Sequence, residues 1–203
     1  MTAVDPMADG DDLAEVFAAV ARALRADSSV QGTLDRIVEL AATTIEGCDH
    51  AGMTMIEAGE IRAPAATDEV PLQVDTIQYE TGEGPCVDAI RKHDVFQTDD
   101  LTTETRWPRF APRAAEETGV RSILSYRLFV EGDTMGALNL YSKATCAFDD
   151  TDRAVGSIFA AHAAVALSAA RKQEHLERAI QTRDLIGQAK GILMAREHVS
   201  ADE

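Results

Sequence analysis

The sequence predicts an α+β fold in which an antiparallel sheet is flanked by helices and followed by one long helix. Three observations predict it. Two amphipathic segments with helical spacing come before the first strand. Two apolar runs, residues 122–130 and 134–142, are separated only by the loop Glu131-Gly132-Asp133, which forces an antiparallel hairpin. From Asp149 onward the apolar spacing is helical, and no proline interrupts it.

The remaining elements follow from turn residues, capping residues and apolar periodicity. In chain order, the predicted elements are a helix over 13–24, a helix from Ser28 or Ser29 to Gly47, a hairpin over 50–66, a helix over 69–79, a short helix over 86–92, a strand over 94–98, a helix over 107–118, the hairpin over 122–142 and a helix over about 150–197. This order of elements gives a sheet with helices at one side and a helix that leaves the domain.

The last predicted helix is too long to be stable on the surface of a monomer without a partner. Parallel self-association is the simplest way to supply one, so the sequence predicts a homodimer. The candidate seam is the apolar stripe of this helix, formed by Val155, Ile158, Phe159, His162 and Ala166.

The charge of the chain limits its partners. The 203 residues contain 35 acidic and 19 basic side chains, which gives a net charge of −16, so the chain as a whole repels phosphate backbones. The charge is uneven, because residues 1–170 hold 13 basic and 29 acidic side chains while residues 171–203 hold six of each. Any contact with nucleic acid is therefore expected to be local and near the C-terminal end.

Other classes of protein are disfavoured by what the sequence contains. Apolar runs stay well short of the roughly 18 residues of a membrane span, and the first residues are acidic where a secretory signal is basic, so we expect no membrane and a cytoplasmic protein. The three cysteines, Cys48, Cys86 and Cys146, form no CxxC pair and have no histidine at ligand spacing. We expect no metal site, and no cofactor is evident.

The segment from about 14 to 170 resembles a GAF domain. The resemblance is carried by Glu80-Thr-Gly-Glu-Gly-Pro-Cys86, Asp99-Asp100-Leu101, Arg106-Trp-Pro-Arg109, Arg121-Ser122 and Gly136-Ala-Leu-Asn-Leu140, and it is similar to the actinobacterial type. It implies a small-molecule pocket on the sheet face opposite the terminal helices, under the loops around 79–86 and 99–110. The candidate ligand-binding residues are Tyr79, Cys86, Trp107, Phe110, Tyr126, Arg127 and Asn139.

Each of these residues has a second interpretation. Plain core packing accounts for the apolar ones, because strand alternation places Tyr126 and Arg127 on opposite faces of one strand and both faces could be buried. Arg127 in mid-strand must extend its charged end to solvent, pair with a carboxylate or meet an anionic ligand, and a structural ion pair is the favoured use. Some GAF proteins reduce free methionine sulfoxide with an acidic cysteine, and Cys86 near a helix N-terminus would gain acidity. The cysteine spacing does not resemble theirs, so we expect no enzyme.

The segment Ile186-Gly-Gln-Ala-Lys-Gly-Ile-Leu-Met194 resembles the opening helix of an ANTAR domain, a three-helix RNA-binding antitermination module. The resemblance implies RNA contact, for which the candidates are Arg183, Lys190 and Arg196. The last four residues, Ser200-Ala-Asp-Glu203, have the form of a capping box that opens a helix, so we expect the ANTAR module to be incomplete in this chain.

The predicted organisation is an acidic, disordered leader over 1–12, a GAF sensor domain over 13–170, a helical linker over 171–182 and the first part of an ANTAR domain over 183–203. The predicted function is a signal-responsive, homodimeric regulator of the GAF-ANTAR antitermination family that binds an unknown effector and RNA. The alternative is a stand-alone GAF sensor or dimerisation module that acts on a protein partner. A methionine sulfoxide reductase is the remote alternative.

Overall fold

The computed structural model describes residues 18, 20–22, 24, 29–57, 60–92, 95–130 and 133–197. The helices are α1 (Val30–Thr44), α2 (Glu69–Thr81), α3 (Pro85–Lys92), α4 (Ala111–Thr118) and α5 (Asp150–Glu197), and the strands are β1 (His50–Glu57), β2 (Glu60–Ala66), β3 (Phe96–Thr98), β4 (Ser122–Val130) and β5 (Asp133–Ser142). Residues 18, 20–22 and 24 of the predicted first helix are helical. The predicted leader over 1–12 lies outside the described residues.

The five strands form one antiparallel sheet in the order β2-β1-β5-β4-β3. The predicted hairpin of β4 and β5 lies at its centre, and β1 pairs with the other edge of β5. Ser125 lies opposite Asn139 and Tyr126 lies opposite Leu138, so paired residues share a face. The predicted α+β architecture with flanking helices and a long C-terminal helix is confirmed.

The two faces of the sheet bury different cores. On one face, α1 and the first part of α5 cover the apolar side chains of the central strands, among them Leu124, Tyr126 and Leu138. On the other face, α2, α4 and the turn around Trp107 cover Ile123 and Tyr141. Strand alternation therefore gives β4 one row of side chains toward α5 and one row toward the opposite layer.

Local chemistry explains where the helices begin and end. The side chain of Ser29 caps α1 by accepting a hydrogen bond of 3.0 Å from the backbone nitrogen of Gly32. α2 ends at Gly82, which adopts the left-handed conformation. The helix predicted over 107–118 is shorter than expected, because residues 108–110 form a turn and α4 starts at Ala111. Pro112 explains this start, since proline fits only the first turn of a helix.

The helix α5 runs without a break through 48 residues, as predicted. It is long and apolar enough to meet the bare length-and-composition criterion for a membrane span. Its apolar first part nevertheless packs on the sheet through Phe159, Ala163 and Leu167, as a core helix does. From residue 175 to residue 190 every side chain is exposed.

Candidate functional site

The sheet face opposite α5 is covered by a lid, which we define as residues 79–86 and 99–110. One carboxylate joins its two halves, because Glu83 accepts hydrogen bonds from the backbone nitrogens of Arg109 (2.8 Å) and Phe110 (3.3 Å). The Arg109 side chain adds an ion pair of 2.6 Å to the same carboxylate, and these contacts lower the pKa of Glu83. Gly84 has a φ of +133° and lies against Gln78 with no room for a side chain.

An apolar cluster lies under the second half of the lid. Trp107 and Phe110 are two of its aromatic members, with ring centroids 6.4 Å apart in an edge-to-face arrangement. The Trp107 indole nitrogen donates a hydrogen bond of 3.1 Å to Asp88 of α3, which ties this turn to the helix beside it. The apolar cluster therefore closes one end of the space under the lid, and Trp107 is held there by its hydrogen bond to Asp88 and its contact with Phe110.

A polar cluster lies under the first half of the lid, around the carboxylate of Asp75 on α2. Asp75 is fully buried and accepts hydrogen bonds from the Thr54 hydroxyl (3.0 Å), the Gln78 amide (3.1 Å) and the Tyr141 hydroxyl (2.9 Å). Burial raises its pKa from 3.8 to about 6, although these hydrogen bonds act in the opposite direction. All the donors that the structure shows on Asp75 are neutral.

Thr54 connects Asp75 to the rest of the polar cluster. Its hydroxyl oxygen accepts hydrogen bonds from the Tyr79 hydroxyl (3.0 Å) and the Asn139 amide nitrogen (3.2 Å), and the Cys86 sulfur lies 3.2 Å away. Residues from β1, β5, α2 and α3 therefore meet at a single hydroxyl group. A buried network of this kind fixes the positions of all its members.

Two polar atoms in this region lack a hydrogen-bond partner within the described part of the chain. They are the hydroxyl oxygen of Ser125 and the amide oxygen of Asn139, which belong to fully buried residues opposite each other on β4 and β5. Buried polar groups are nearly always satisfied. The pair therefore leaves one acceptor and one hydroxyl group unsatisfied under the lid.

The thiols of Cys86 and Cys48 are not activated. Burial, together with the nearby Asp75 carboxylate, raises the pKa of Cys86 to about 12. Burial also raises the pKa of Cys48 to about 12. The expectation that Cys86 gains acidity from the helix N-terminus is therefore wrong, because the cost of burying a thiolate outweighs that contribution. Among the described residues, no group of three or more His, Cys, Asp or Glu side chains is arranged to hold a metal ion.

The structure separates the predicted ligand-binding residues into three groups. Tyr79, Cys86 and Asn139 meet in the polar cluster, and Trp107 and Phe110 lie in the apolar cluster beside it. Sequence reasoning missed four further members of the polar cluster. These are Thr54, Asp75, Gln78 and Ser125.

Two of the predicted residues lie elsewhere. Tyr126 is on the face that packs against α5, where its hydroxyl donates to the Arg153 carbonyl oxygen at 3.0 Å, so its assignment to the pocket is wrong. Arg127 lies on β4 past Ser125, the last residue that pairs with β3. Its guanidinium carbon stacks over Phe129, 4.2 Å from the centre of the ring. The residue also lines a shallow groove together with Ser157 of α5. It therefore does not join the polar cluster under the lid.

The structure also divides the candidate dimer residues of α5. Val155 and Phe159 are buried in the core of their own chain, and Ala166 is partly buried against it, so these residues do not form an outer seam. Ile158 is 40% exposed, and His162 is exposed as well. The predicted stripe is therefore partly the inner face of the helix and partly its outer face.

The candidate RNA-binding residues Arg183, Lys190 and Arg196 are all exposed on the distal part of α5. Arg183 and Lys190 are seven residues apart, about two helical turns, and lie on one side of the helix. Arg196 follows Lys190 after six residues and lies well away from that line. The three cations therefore do not form a single patch on one helix.

A sheet of this order, with helices packed on one face and a lid over a polar cluster on the other, defines a small α+β domain. A family profile for the GAF domain matches residues 27–168, and a profile for the ANTAR domain matches residues 174–203. The chain belongs to the GAF domain family, and its GAF domain is followed by an ANTAR domain. No curated protein matches it significantly.

Solved structures share the fold. The GAF domain of a phosphoenolpyruvate-protein phosphotransferase from Coxiella burnetii is 16% identical with a TM-score of 0.66, over 80% of this chain and 96% of that chain. A free methionine-R-sulfoxide reductase from Neisseria meningitidis, solved with its substrate, is 16% identical with a TM-score of 0.59, over 85% of this chain and 96% of that chain. At this identity the likeness shows the fold alone.

Proposed function

We propose that this protein is a signal-responsive antitermination regulator, in which the GAF domain binds a small polar effector and the ANTAR domain binds RNA. The observation that carries the proposal is the continuity of α5. This one helix begins at Asp150, is buried in the core of the GAF domain from Val155, and extends to Glu197, within the ANTAR match. A displacement of its first turns therefore moves the ANTAR end directly.

The strand β4 provides a connection between the effector site and α5. Ser125 has its unsatisfied hydroxyl under the lid, and its neighbour Tyr126 donates a hydrogen bond to the first turn of α5. Gly156 leaves room for the Tyr126 ring, since a side chain at that position would overlap it. An effector that prefers one position of β4 would bias α5 by population shift.

The polar cluster supports an effector with hydrogen-bonding groups. The two unsatisfied atoms on Ser125 and Asn139 would pair with it, and the apolar cluster around Trp107 would close one end of the site. The buried, protonated thiol of Cys86 is a poor nucleophile, so the geometry favours binding over the reductase alternative. We propose a non-enzymatic protein that acts in the cytoplasm, where transcripts are made.

Ultraviolet cross-linking of the full-length protein in its own cells, followed by sequencing of the bound RNA, tests the proposal. We expect discrete transcripts to be recovered. Their affinity for the purified protein should fall steeply with salt, since phosphate contacts release counterions. R183Q/K190Q should weaken binding and reduce the salt slope by about one for each lost phosphate contact.

The matched control is Arg36→Gln, which removes an exposed cation from α1, far from the ANTAR segment in the chain. It should bind RNA as the wild type does. Recovery of a protein partner with no RNA above background would overturn the proposal and favour the stand-alone sensor. A salt-insensitive RNA complex would also contradict it.

A further inference from the structure

The carboxylate of Asp75 lies in the core without a positively charged partner among the described residues. Its hydrogen-bond donors are all neutral, and they are the side chains of Thr54, Gln78, Asn139 and Tyr141. The nearby arginines do not supply the missing charge. Arg109 of the lid pairs with Glu83, and Arg113 of α4 pairs with Glu80. A buried charge is costly unless it is paired, so the fold keeps here a negative charge that its described side chains do not neutralise.

The charge of Asp75 determines what the space under the first half of the lid favours. Because its pKa is about 6, most copies of the protein hold this carboxylate ionised at neutral pH. The titratable side chains that face it are Tyr79 on α2, Cys86 on α3 and Tyr141 on β5, while β1 contributes the uncharged Thr54. Burial, followed by the charge of Asp75, raises the pKa of all three, so they stay neutral. Such a space disfavours an anion and favours a cation.

Two unsatisfied oxygens near Asp75 show what the cation must carry. The amide oxygen of Asn139 and the hydroxyl oxygen of Ser125 are buried and have no hydrogen-bond partner within the described part of the chain. The amide nitrogen of Asn139 lies 3.5 Å from the Asp75 carboxylate, so the oxygen of the same amide group is close to the charge. An amide oxygen only accepts hydrogen bonds, and a hydroxyl oxygen accepts them as well. The site therefore lacks donors as well as positive charge.

We propose that the effector is a small primary amine that binds in its ammonium form, with Asp75 as its counter-ion and Asn139 and Ser125 as hydrogen-bond acceptors. The inference rests on the proposed function, because it names the chemical class of the effector at that site. An ammonium group brings one positive charge and three N–H donors, which match one carboxylate and two oxygens without partners. Asp75 contributes most to the affinity, because charge-assisted hydrogen bonds are stronger than neutral ones.

Tyr79 gives the amine its route to the carboxylate. It is the partly exposed member of the polar cluster, whereas Thr54, Asp75 and Asn139 are fully buried. Its hydroxyl reaches inward to donate a hydrogen bond of 3.0 Å to Thr54. Outward rotation of this side chain opens a path from the surface and vacates the position of a hydroxyl group, which is similar in size to an ammonium nitrogen. Because Ser125 belongs to β4, a bound amine acts on the strand that contacts α5.

A titration followed by the amide resonances of the full-length protein tests the class of ligand. The probes are methylammonium, tetramethylammonium and formate at constant ionic strength. Methylammonium should give saturable shifts at Asp75, Ser125 and the side-chain amide of Asn139. Tetramethylammonium has the charge without N–H donors and formate has the opposite charge, so both should bind at least roughly tenfold more weakly. Absence of saturable methylammonium binding, or equally tight binding of either other probe, would overturn the proposal.

Substitutions locate the site. Asp75→Asn keeps the shape of the side chain, removes its charge and should weaken methylammonium binding by roughly thirtyfold or more. Ser125→Ala removes one acceptor and should weaken it by roughly fivefold. The matched control is Glu69→Gln, which removes one negative charge at an exposed position of the same helix and should bind as the wild type does. Affinity of Asp75→Asn or Ser125→Ala equal to that of Glu69→Gln would overturn the assignment.

The pH dependence of the affinity tests the counter-ion. A proton on Asp75 competes with the cation, so the wild type should bind methylammonium roughly tenfold more weakly at pH 5 than at pH 7. His50 on β1 bonds Asp68 rather than Asp75. Glu69→Gln should show the wild-type profile, and any residual binding by Asp75→Asn should be the same at both pH values. A wild-type affinity that does not change between pH 5 and pH 7 would contradict the role of Asp75.

The RNA cross-linking result separates this inference from the proposed function. If the cells yield bound RNA and methylammonium does not bind, the amine assignment is overturned and the proposed function stands. If methylammonium binds as expected and the cells yield no bound RNA, the proposed function is overturned. The amine site then stands as the ligand site of a stand-alone sensor.

Discussion

The polar cluster under the lid and the distal half of α5 are opposites in how they are stabilised. Asp75 is fully buried and accepts hydrogen bonds from four side chains of its own chain, those of Thr54, Gln78, Asn139 and Tyr141. Leu176, by contrast, is 62% exposed and belongs to a stretch of helix whose neighbours are all exposed. The first region is held by contacts within the chain, whereas the second has no such contacts among the described residues, and under the proposed function the first binds the effector and the second binds RNA.

Two substitutions by alanine on α5 give the largest expected difference in the free energy of unfolding. Phe159→Ala leaves a cavity in the core and should lower the free energy of unfolding by about 3–5 kcal/mol. Leu176→Ala should change it by less than about 0.5 kcal/mol at a concentration where the protein is monomeric. Urea denaturation measures both. A loss above about 2 kcal/mol for Leu176→Ala would show that the distal helix packs on its own chain, and would break the comparison.

Removal of the central carboxylate tests the polar cluster. Asp75→Ala leaves the donors Thr54, Gln78 and Tyr141 without their acceptor and should lower the free energy of unfolding by about 3 kcal/mol. The control Glu116→Ala, at an exposed position on α4, should stay within about 0.5 kcal/mol. Equal effects of the two variants in thermal or urea denaturation would show that the cluster is not a cooperative network.

The pH dependence of stability sharpens the same point. Because burial raises the pKa of Asp75 from 3.8 to about 6, the folded state holds a proton between about pH 4 and 6 that the unfolded state has released. The contribution of Asp75 to stability should therefore fall by about 2–3 kcal/mol as the pH rises through that range, and stay constant above it. Neighbouring Tyr79, Tyr141 and Cys86 have raised pKa values and stay neutral there.

The measurement is the free energy of unfolding from pH 4 to pH 7 for the wild type and for Asp75→Asn. The difference between the two proteins isolates the contribution of Asp75, since the other carboxyl groups titrate in both. If the free energy of unfolding of the wild type, relative to Asp75→Asn, increased from pH 4 to pH 6, the raised pKa of Asp75 would be contradicted. Such an increase would mean that the folded protein stabilises Asp75 in its ionised form.

The lid gives the smallest expected effect on stability. Glu83→Ala removes the acceptor of the Arg109 and Phe110 backbone nitrogens, and we expect faster hydrogen exchange at these two amides with little change in melting temperature. Glu117→Ala, which removes only the ion pair with Arg113, is the control and should leave the exchange of both amides unchanged. Unchanged exchange in Glu83→Ala would show that the lid is held by its apolar cluster alone.

Much of the fold could be predicted from the sequence, because periodicity and turn residues are local signals. The β4–β5 hairpin and the uninterrupted α5 were predicted within a residue or two. The start of α4 was missed although Pro112 marks it, because Trp107 and Phe110 were expected in the helix and instead fill the apolar cluster from a turn.

The site was predicted less completely. The candidates Tyr79, Cys86 and Asn139 do lie together in the polar cluster, but Asp75 and Thr54 were not predicted, since single polar residues in a helix and a strand look like surface positions. A helical pattern did exist, as Pro71, Val74, Asp75 and Gln78 share the inner face of α2. Tyr126 was expected under the lid but packs against α5. Strand alternation separates the two faces of β4, but it does not say which face the lid covers and which face α5 covers.

The identity of the peptide that cross-links to RNA tests the central claim most directly. Mass spectrometry of the ultraviolet-cross-linked, full-length protein locates the adduct on the chain. We predict adducts in the distal part of α5, within residues 175–197, and none on the lid or the sheet. Adducts confined to the GAF domain, residues 27–168, would contradict the division between a sensing region and a recognition region.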